Sequence, residues 1–471
     1  MNEAESSQLV NEINDHGGWV NTSLFRLGPI DGMGTGAVAI VDIPEQTPLF
    51  HLPLDQLLMS HSSDIKNRLS SSEWDGLGQG WIPLILAMMW ETHIGEESRW
   101  QAYLSSMPVT FETPMFWDED ARRELQGTEI ENTIGREEAD NDYRTILRPV
   151  LERHPELFPS SSNHFTLEAY HMHGSRILSR SFTIPAILTG ALDNDDDDED
   201  DDDDDDDDDE EDANEVAMIP MADMLNAVTG LDNARLFSHE EATAQSVVKG
   251  KGYTMISTSA IKAGEQILNT YDVVPNSGLL RKYGHVDTLP LPAKILSLLS
   301  DEEIGQWPLG NPADEVSIAG DLVVEIVTQR AGTGKSAEYQ ARVDRWLDEQ
   351  DDTFVLSFTT PIEPQLIVFI RILIFDSEWQ RFLKKGKLPL PVIDDSVAKL
   401  LFDILDARSS RYLHSLKDDL ILVTAIPPVE RRQYMSAVVR IGERRVIAAA
   451  RRTVRAQTTM QGAGGVGKKK S

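Results

Sequence analysis

Cysteine is absent from this 471-residue chain, which excludes a disulfide framework and every cysteine-ligated zinc site. The absence fits an intracellular protein. Long apolar runs are missing too. The longest, from Trp81 to Trp90, has ten residues and contains Pro83, whereas a membrane span needs roughly 20. A soluble protein without membrane contact is therefore expected. The first fifteen residues are polar and acidic, unlike a secretory leader. No Ser-His-Asp set or pair of catalytic carboxylates stands out. The length exceeds what one core usually fills, so two or three domains are expected.

Charge is unevenly placed. The net charge is −36, but residues 193–212 hold nineteen acidic residues out of twenty, Asn194 being the exception. Outside that run 60 acidic residues face 43 Lys and Arg, a balance of −17. Such a run cannot bury apolar surface and repels itself, so it reads as a disordered loop. It lies between Leu178–Phe182 and Met218–Pro220, both of ordered character, and so reads as an insertion within a domain. Its dense negative field also suits capture of a basic partner. Residues 431–471 have the opposite balance, with eleven Lys/Arg against Glu443 alone. Lys468, Lys469 and Lys470 end a flexible basic tail over 457–471. Three lysines are too few to indicate RNA binding, and direct nucleic-acid binding is not expected.

Strand-like pieces (36–43, 48–52) precede helix-spaced apolar residues over 84–91, 99–104, 142–152 and 166–179. Beyond the acidic run, short β-type segments return at 246–248, 253–258 and 266–271, the last two separated by a turn at Lys262–Glu265. From about residue 290 the pattern is helical, at 338–349, 364–375, 397–409 and 431–455. The expected class is α+β: a lead helix over 1–19, a β-rich module over 20–286 with a helical insert at about 60–190, then an all-helical domain over 290–456.

Three patterns imitate known sites. Gly32, Gly34 and Ala37 match a dinucleotide fingerprint, but a β-rich run closed by Pro44 follows where a helix is required. Their glycines still permit close backbone approach to a ligand. Leu322–Val327 followed by Gly332, Gly334, Lys335 and Ser336 suggests a phosphate loop, but Gln329 stands where its first glycine belongs. That stretch reads as a turn between helices. His164, His171 and His173 lack carboxylates at ligand spacing and read as structural, so no metal is expected.

Three other segments, taken in order, carry chemistry. The first is Gly34-Thr35-Gly36-Ala37-Val38-Ala39 with Asp42-Ile43-Pro44. The second is Ile219-Pro220-Met221-Ala222-Asp223-Met224-Leu225-Asn226, shortly after Ser179-Arg180-Ser181-Phe182. The third is Ala263-Gly264-Glu265-Gln266-Ile267-Leu268-Asn269-Thr270-Tyr271-Asp272, followed by Asn276 to Gly284. Together they resemble the SET domain of protein lysine methyltransferases, in the subgroup typified by the Rubisco large-subunit methyltransferase. The stretch Met218–Ala227 most resembles the fungal ribosomal lysine methyltransferase 4 group and its animal SET-domain relative. Val439–Ile447 resembles the final helix of that subgroup's substrate-binding domain.

The resemblance implies S-adenosylmethionine as methyl donor and a lysine of a basic, ribosomal large-subunit protein as acceptor. It implies Tyr271 as the catalytic hydroxyl. It implies donor binding by Met33, Gly34, Thr35, Arg180, Asp223, Asn226, Ala227, Tyr271 and Tyr283, and substrate contacts by Ser179 and Asn269. The usual Asn-His pair is here Asn226-Ala227, which keeps a backbone contact and loses a ring. Without cysteine the zinc-capped pocket of many histone-modifying relatives cannot form, so the helical domain is expected to complete the substrate side. A monomer in the nucleus is expected, with the cytoplasm as alternative. The competing reading is a SET-like module without turnover that holds a basic partner.

Overall fold

The computed structural model describes residues 2–31, 33–185, 214–228, 230–238, 251–270, 273–287, 310–331, 337–425 and 429–465. Gly32, Tyr271, Asp272, the acidic run 193–212, the strand expected at 246–248 and the Lys468–Lys470 tail lie outside the described residues. The chain divides into two units, Met1–Phe111 with Gly135–Asp272, and Glu112–Ile134 with Val273–Ser471.

In the first unit the strands are short and antiparallel. They are β1 (Trp19–Val20), β2 (Phe25–Ile30), β3 (Gly34–Ala39), β4 (Pro48–Pro53), β5 (Ser181–Pro185), β6 (Asn214–Met218), β7 (Ala234–Ser238), β8 (Gly252–Ser257) and β9 (Gln266–Ile267). One sheet has the order β1-β4-β8-β7, another β2-β3-β9, and β5 pairs with β6 alone. Every residue of β8 is buried, as suits a strand flanked on both sides. The β5–β6 register runs from Ser181↔Met218 to Pro185↔Asn214. In sequence the acidic run lies between these two paired strands.

The helix Trp81–Ile94 is buried continuously from Pro83 to Glu91, as its apolar sequence on all sides requires. Pro83 is tolerated because it falls in the first turn. Glu91 accepts hydrogen bonds from Ser63 Oγ (2.6 Å) and Ser98 Oγ (2.7 Å), which satisfies its buried carboxylate. Against this helix packs Leu167–Arg180. The single helix expected over 142–152 is instead Arg136–Asp142, a π segment Tyr143–Leu147 and Arg148–Arg153. Pro149 supplies the reason, since it has no N–H for an α-type bond and crowds the carbonyl four residues earlier.

The second unit is mostly helical, and its last helix runs Arg431–Gly465, beyond the expected end. The periodicity misses one feature, the ribbon of β10 (Glu315–Ala319) and β11 (Thr353–Ser357). Leu322–Val327, strand-like in sequence, lies inside the helix Gly320–Ala331. The helix Ala337–Leu347 follows, so the false phosphate loop does connect two helices. Residues 112–134, placed by sequence in the helical insert, group with this unit because Trp117, Leu125 and Ile130 share a core with Leu280, Met435 and Val439. Residues 273–286 group with it as well. Among the described residues no helix is long and apolar enough to cross a membrane.

Buried charge organises this second unit. Arg440 and Asp419 are fully enclosed, with Nη2 to Oδ1 at 2.7 Å and Nε to Oδ1 at 2.9 Å. Asp314 Oδ1 accepts from the Asn276 backbone N–H (3.0 Å), which anchors the start of the helix Asn276–Tyr283. Burial pushes the Asp314 carboxyl up to about 7, against the Asn276 N–H bond and the Arg445 guanidinium. The folded state thus keeps a proton that the unfolded chain releases near pH ~3.9. Stability contributed by this group is present below about pH 4, falls as pH rises to about 7, and is flat above. Asp314→Asn should remove that slope, worth up to about 4 kcal/mol across the window, as read from urea unfolding between pH 4 and 8.

Candidate functional site

Within the first unit the turn between β2 and β3 begins the site. Ile30 O accepts from Met33 N (3.1 Å), and Gly34 enters β3 with φ +74°, a conformation that glycine adopts without cost. A Cβ on Gly34 would meet nothing within 4 Å, so this edge of the turn is open. Two residues on, Gly36 has no such space. Its Cβ would lie 2.6 Å from Asn226 Nδ2, 2.7 Å from Ile30 Cγ1 and 2.8 Å from Gln266 Oε1. The glycine-rich turn and the Asn226 segment therefore touch, and the small residue is what lets them do so.

Asn226 arrives there through a sharp backbone reversal. Met221 has φ +70° and ψ −41°, and Ala222 N donates to Pro220 O at 2.9 Å. That is a γ-turn of the rare kind, which stores strain in a buried non-glycine residue. A single helical turn, Ala222–Met224, follows. The Asn226 side-chain amide then donates to Gln266 Oε1 (2.9 Å), and its carbonyl accepts from Asn269 N (2.9 Å). Gln266 also donates to Met33 Sδ (3.6 Å). Gln266 thus joins three of the expected segments.

Arg180 ends the helix Leu167–Arg180. Its Nη1 donates to Asp223 O (2.9 Å) and Asp223 Oδ2 (3.2 Å). Tyr103 Oη donates to the same Oδ2 at 3.2 Å. The Asp223 side chain is fully enclosed, and Oδ1 has no hydrogen-bond partner among the described residues. Burial pushes the Asp223 carboxyl up, while the Arg180 charge and the two donors pull it down. Burial and the neighbouring carboxylate push the Tyr103 hydroxyl well above its ordinary value. One turn before Arg180, Arg176 donates through Nε to Pro108 O (3.0 Å), and burial lowers its guanidinium to about 10.

The other expected residues divide. Asn269 is buried and its Oδ1 accepts from Thr270 N (2.9 Å), so it braces the strand exit. Ser179 Oγ donates to Ser175 O (2.8 Å) within its own helix, a local bond that competes with a substrate contact. Thr35 pairs with Pro29 across β2–β3, and Ala227 is half-buried beside Asn226. Tyr283 belongs to the second unit. It closes the helix Asn276–Tyr283, with its ring centroid 6.0 Å from that of His285. Tyr271 lies outside the described residues.

The histidines behave as structural groups. His171 Nε2 meets Asp140 Oδ1 at 2.7 Å. His173 is fully buried, neither ring nitrogen has a hydrogen-bond partner among the described residues, and burial holds it well below its ordinary value. Among the described residues no group of His, Asp and Glu could hold a metal.

Three residues of the site escape sequence reading: Gln266, Tyr103 and Asn233. Asn233 Nδ2 donates to Gln266 O (2.9 Å) and its Oδ1 accepts from Leu268 N (2.8 Å), which clamps the chain leaving β9. Gln266 stood inside a recognised segment, but nothing local marks it as a hub. The tight fit at Gly36 gives a direct test. Gly36→Ala should cost about 1–3 kcal/mol of stability by overpacking against Asn226, Ile30 and Gln266, whereas Gly78→Ala, where a Cβ meets nothing within 4 Å, pays only the strain of its positive φ. Thermal melts of both variants compare the two.

No protein-family model matches the chain. It is similar to the N-lysine methyltransferase SETD6 of Homo sapiens, 31% identical over 274 residues, which cover 57% of this chain and 51% of that protein. The setd6 enzyme of Danio rerio is 33% identical over 261 residues, covering 54% and 51%. A longer alignment, with SETD6 of Rattus norvegicus, is 25% identical over 447 residues and covers 88% and 83%. In the first two alignments the chain spans about half the length of the relatives. Among solved structures, the SET domain of LSMT bound to lysine and AdoHcy has a TM-score of 0.65 at 16% identity, covering 96% of this chain and 91% of that one. Rubisco LSMT bound to AdoMet has a TM-score of 0.63 at 15% identity, covering 99% and 97%. The chain therefore has the fold of these SET-domain proteins, with strands and helices mixed in the first unit and a helical C-terminal region.

Proposed function

We propose that this protein is an S-adenosylmethionine-dependent protein-lysine N-methyltransferase. The observation that carries the reading is the junction of the Met33–Thr35 turn, Gln266, Asn226 and the Arg180–Asp223 pair in one unit, on a fold shared with proteins solved with AdoMet or AdoHcy. The donor set suits such a ligand. An open turn with unobstructed Gly34 offers backbone groups, Asn226 offers an amide, and Arg180 offers a guanidinium for a carboxylate. Met33, Gly34, Thr35, Asn226 and Ala227 would hold the donor. When bound, the donor supplies a methyl group on a positively charged sulfur.

The protein's own residues then have two tasks. The acceptor lysine must lose its proton, which costs roughly 4–5 kcal/mol at pH 7 in bulk water, and apolar surroundings lower that cost by disfavouring the charged form. The amine must also be held in line with the methyl group. A tyrosine hydroxyl accepts and donates hydrogen bonds without carrying charge at neutral pH, and Tyr271 is the residue assigned to this work. Asn269, buried beside the Asn226 carbonyl, braces the approach to it.

The acceptor in this reading is a lysine of a basic protein, specifically of the large ribosomal subunit, met in the nucleus by a monomeric enzyme. Its support is the sequence likeness of Met218–Ala227 to the ribosomal group, together with the acidic character of the chain, which favours capture of a lysine-rich partner. Incubation with radiolabelled S-adenosylmethionine and large-subunit ribosomal proteins should label a ribosomal protein. Binding of S-adenosylhomocysteine without label transfer would instead support the non-catalytic module. Tyr271→Phe should lower kcat by about 100-fold or more while leaving S-adenosylhomocysteine affinity within about twofold. Full turnover in that variant removes the role given to the hydroxyl.

A further inference from the structure

We propose that Tyr103 is a positioning residue of the donor site, acting through its hydroxyl on the Asp223–Arg180 pair. The inference rests on the donor-binding reading above and adds to it a residue from outside the three sequence segments. Tyr103 is fully buried in the helix Gln101–Ser106, 120 residues from Asp223 in sequence. Its hydroxyl and Arg180 Nη1 both donate to Asp223 Oδ2, each at 3.2 Å. Two donors on one oxygen fix the rotation of the carboxylate. A free carboxylate could turn either oxygen to Arg180, but here Nη1 is held against both Oδ2 and the Asp223 carbonyl, and Oδ1 has no partner among the described residues.

The backbone that carries the Tyr103 ring is itself held from behind. Glu12, on the helix Glu3–Asp15, accepts from Ala102 N (2.6 Å) and Tyr103 N (3.1 Å). Trp100 Nε1 donates to Gln56 O (2.8 Å), and Gln56 Nε2 to Ile13 O (2.8 Å). Ser106 Oγ bonds the Tyr103 carbonyl (2.6 Å). A continuous set of contacts thus runs from the lead helix through Tyr103 to Asp223, three residues before Asn226. The Tyr103–Asp223, Trp100–Gln56 and Gln56–Ile13 bonds are buried, where an unmet polar group is costly and so geometry is strongly specified.

The alternative is that Tyr103 only fills space, its ring packing in the core and its hydroxyl merely satisfied. The two roles predict different results in Tyr103→Phe, which keeps the ring and removes the oxygen. Without the hydroxyl, Asp223 can rotate and Arg180 is less well held for the amino-acid end of the donor. Isothermal titration with two probes reads this: S-adenosylhomocysteine, which has that end, and 5′-methylthioadenosine, which lacks it. The positioning role predicts a loss of about tenfold in affinity for S-adenosylhomocysteine and less than about twofold for methylthioadenosine. A space-filling role predicts unchanged affinity for both, with at most a lower Tm, and that result overturns the proposal. Equal loss on both probes overturns it too, since it would report general damage to the pocket. Failure of the unaltered protein to bind either probe would reject the donor site itself, an outcome distinct from a selective change in the variant.

Discussion

Much of the first unit depends on a carboxylate with no exposed surface. Asp223 is enclosed, and burial pushes its carboxyl up. Arg180 and Tyr103 offset that tendency at one oxygen, and Arg180 Nη1 also donates to the Asp223 backbone carbonyl at the turn leading to Asn226. The helix Leu167–Arg180, the short helix Gln101–Ser106 and the strained turn at Met221 therefore meet at a single charge. Removing Arg180 would take the countercharge from the enclosed carboxylate, a costly polar defect in a core.

From that point the geometry extends to Gln266 and the glycine turn. Gln266 binds Asn226 and Met33 through its two amide atoms, and Gly36 permits the approach by having no side chain. The result is a cradle assembled from pieces far apart in sequence. Each piece is held by hydrogen bonds that would be weak in water and are more specific where water is excluded. The strain at Met221 fits this pattern, because a turn of that type persists only where its surroundings determine it.

The sequence revealed the segments better than their connections. The segments holding Gly34, Asp223 and Asn226 stood out by their order along the chain, and the fold brings them together. The helix Trp81–Ile94 was legible because nearly every side chain is apolar. Tyr103 was not, since its role arises only when a residue 120 positions away is folded against it. Ser179 was expected at the substrate, but its hydroxyl bonds its own helix at Ser175. The ribbon Glu315–Ala319 with Thr353–Ser357 was missed because its partner strands are far apart, and the neighbouring Leu322–Val327 looked more like a strand while folding as a helix. Tertiary packing overrides the β-preference of those valines and isoleucine.

The central claim is that the glycine turn, the Asn226 segment and the chain around Gln266 form one donor-binding surface. Hydrogen exchange of the full protein with and without S-adenosylhomocysteine tests it directly, because each segment has its own backbone amides. Added protection is expected over 33–38, 222–228 and 265–270 together, on binding. Protection confined to the helical unit, or none at saturating ligand, would contradict it.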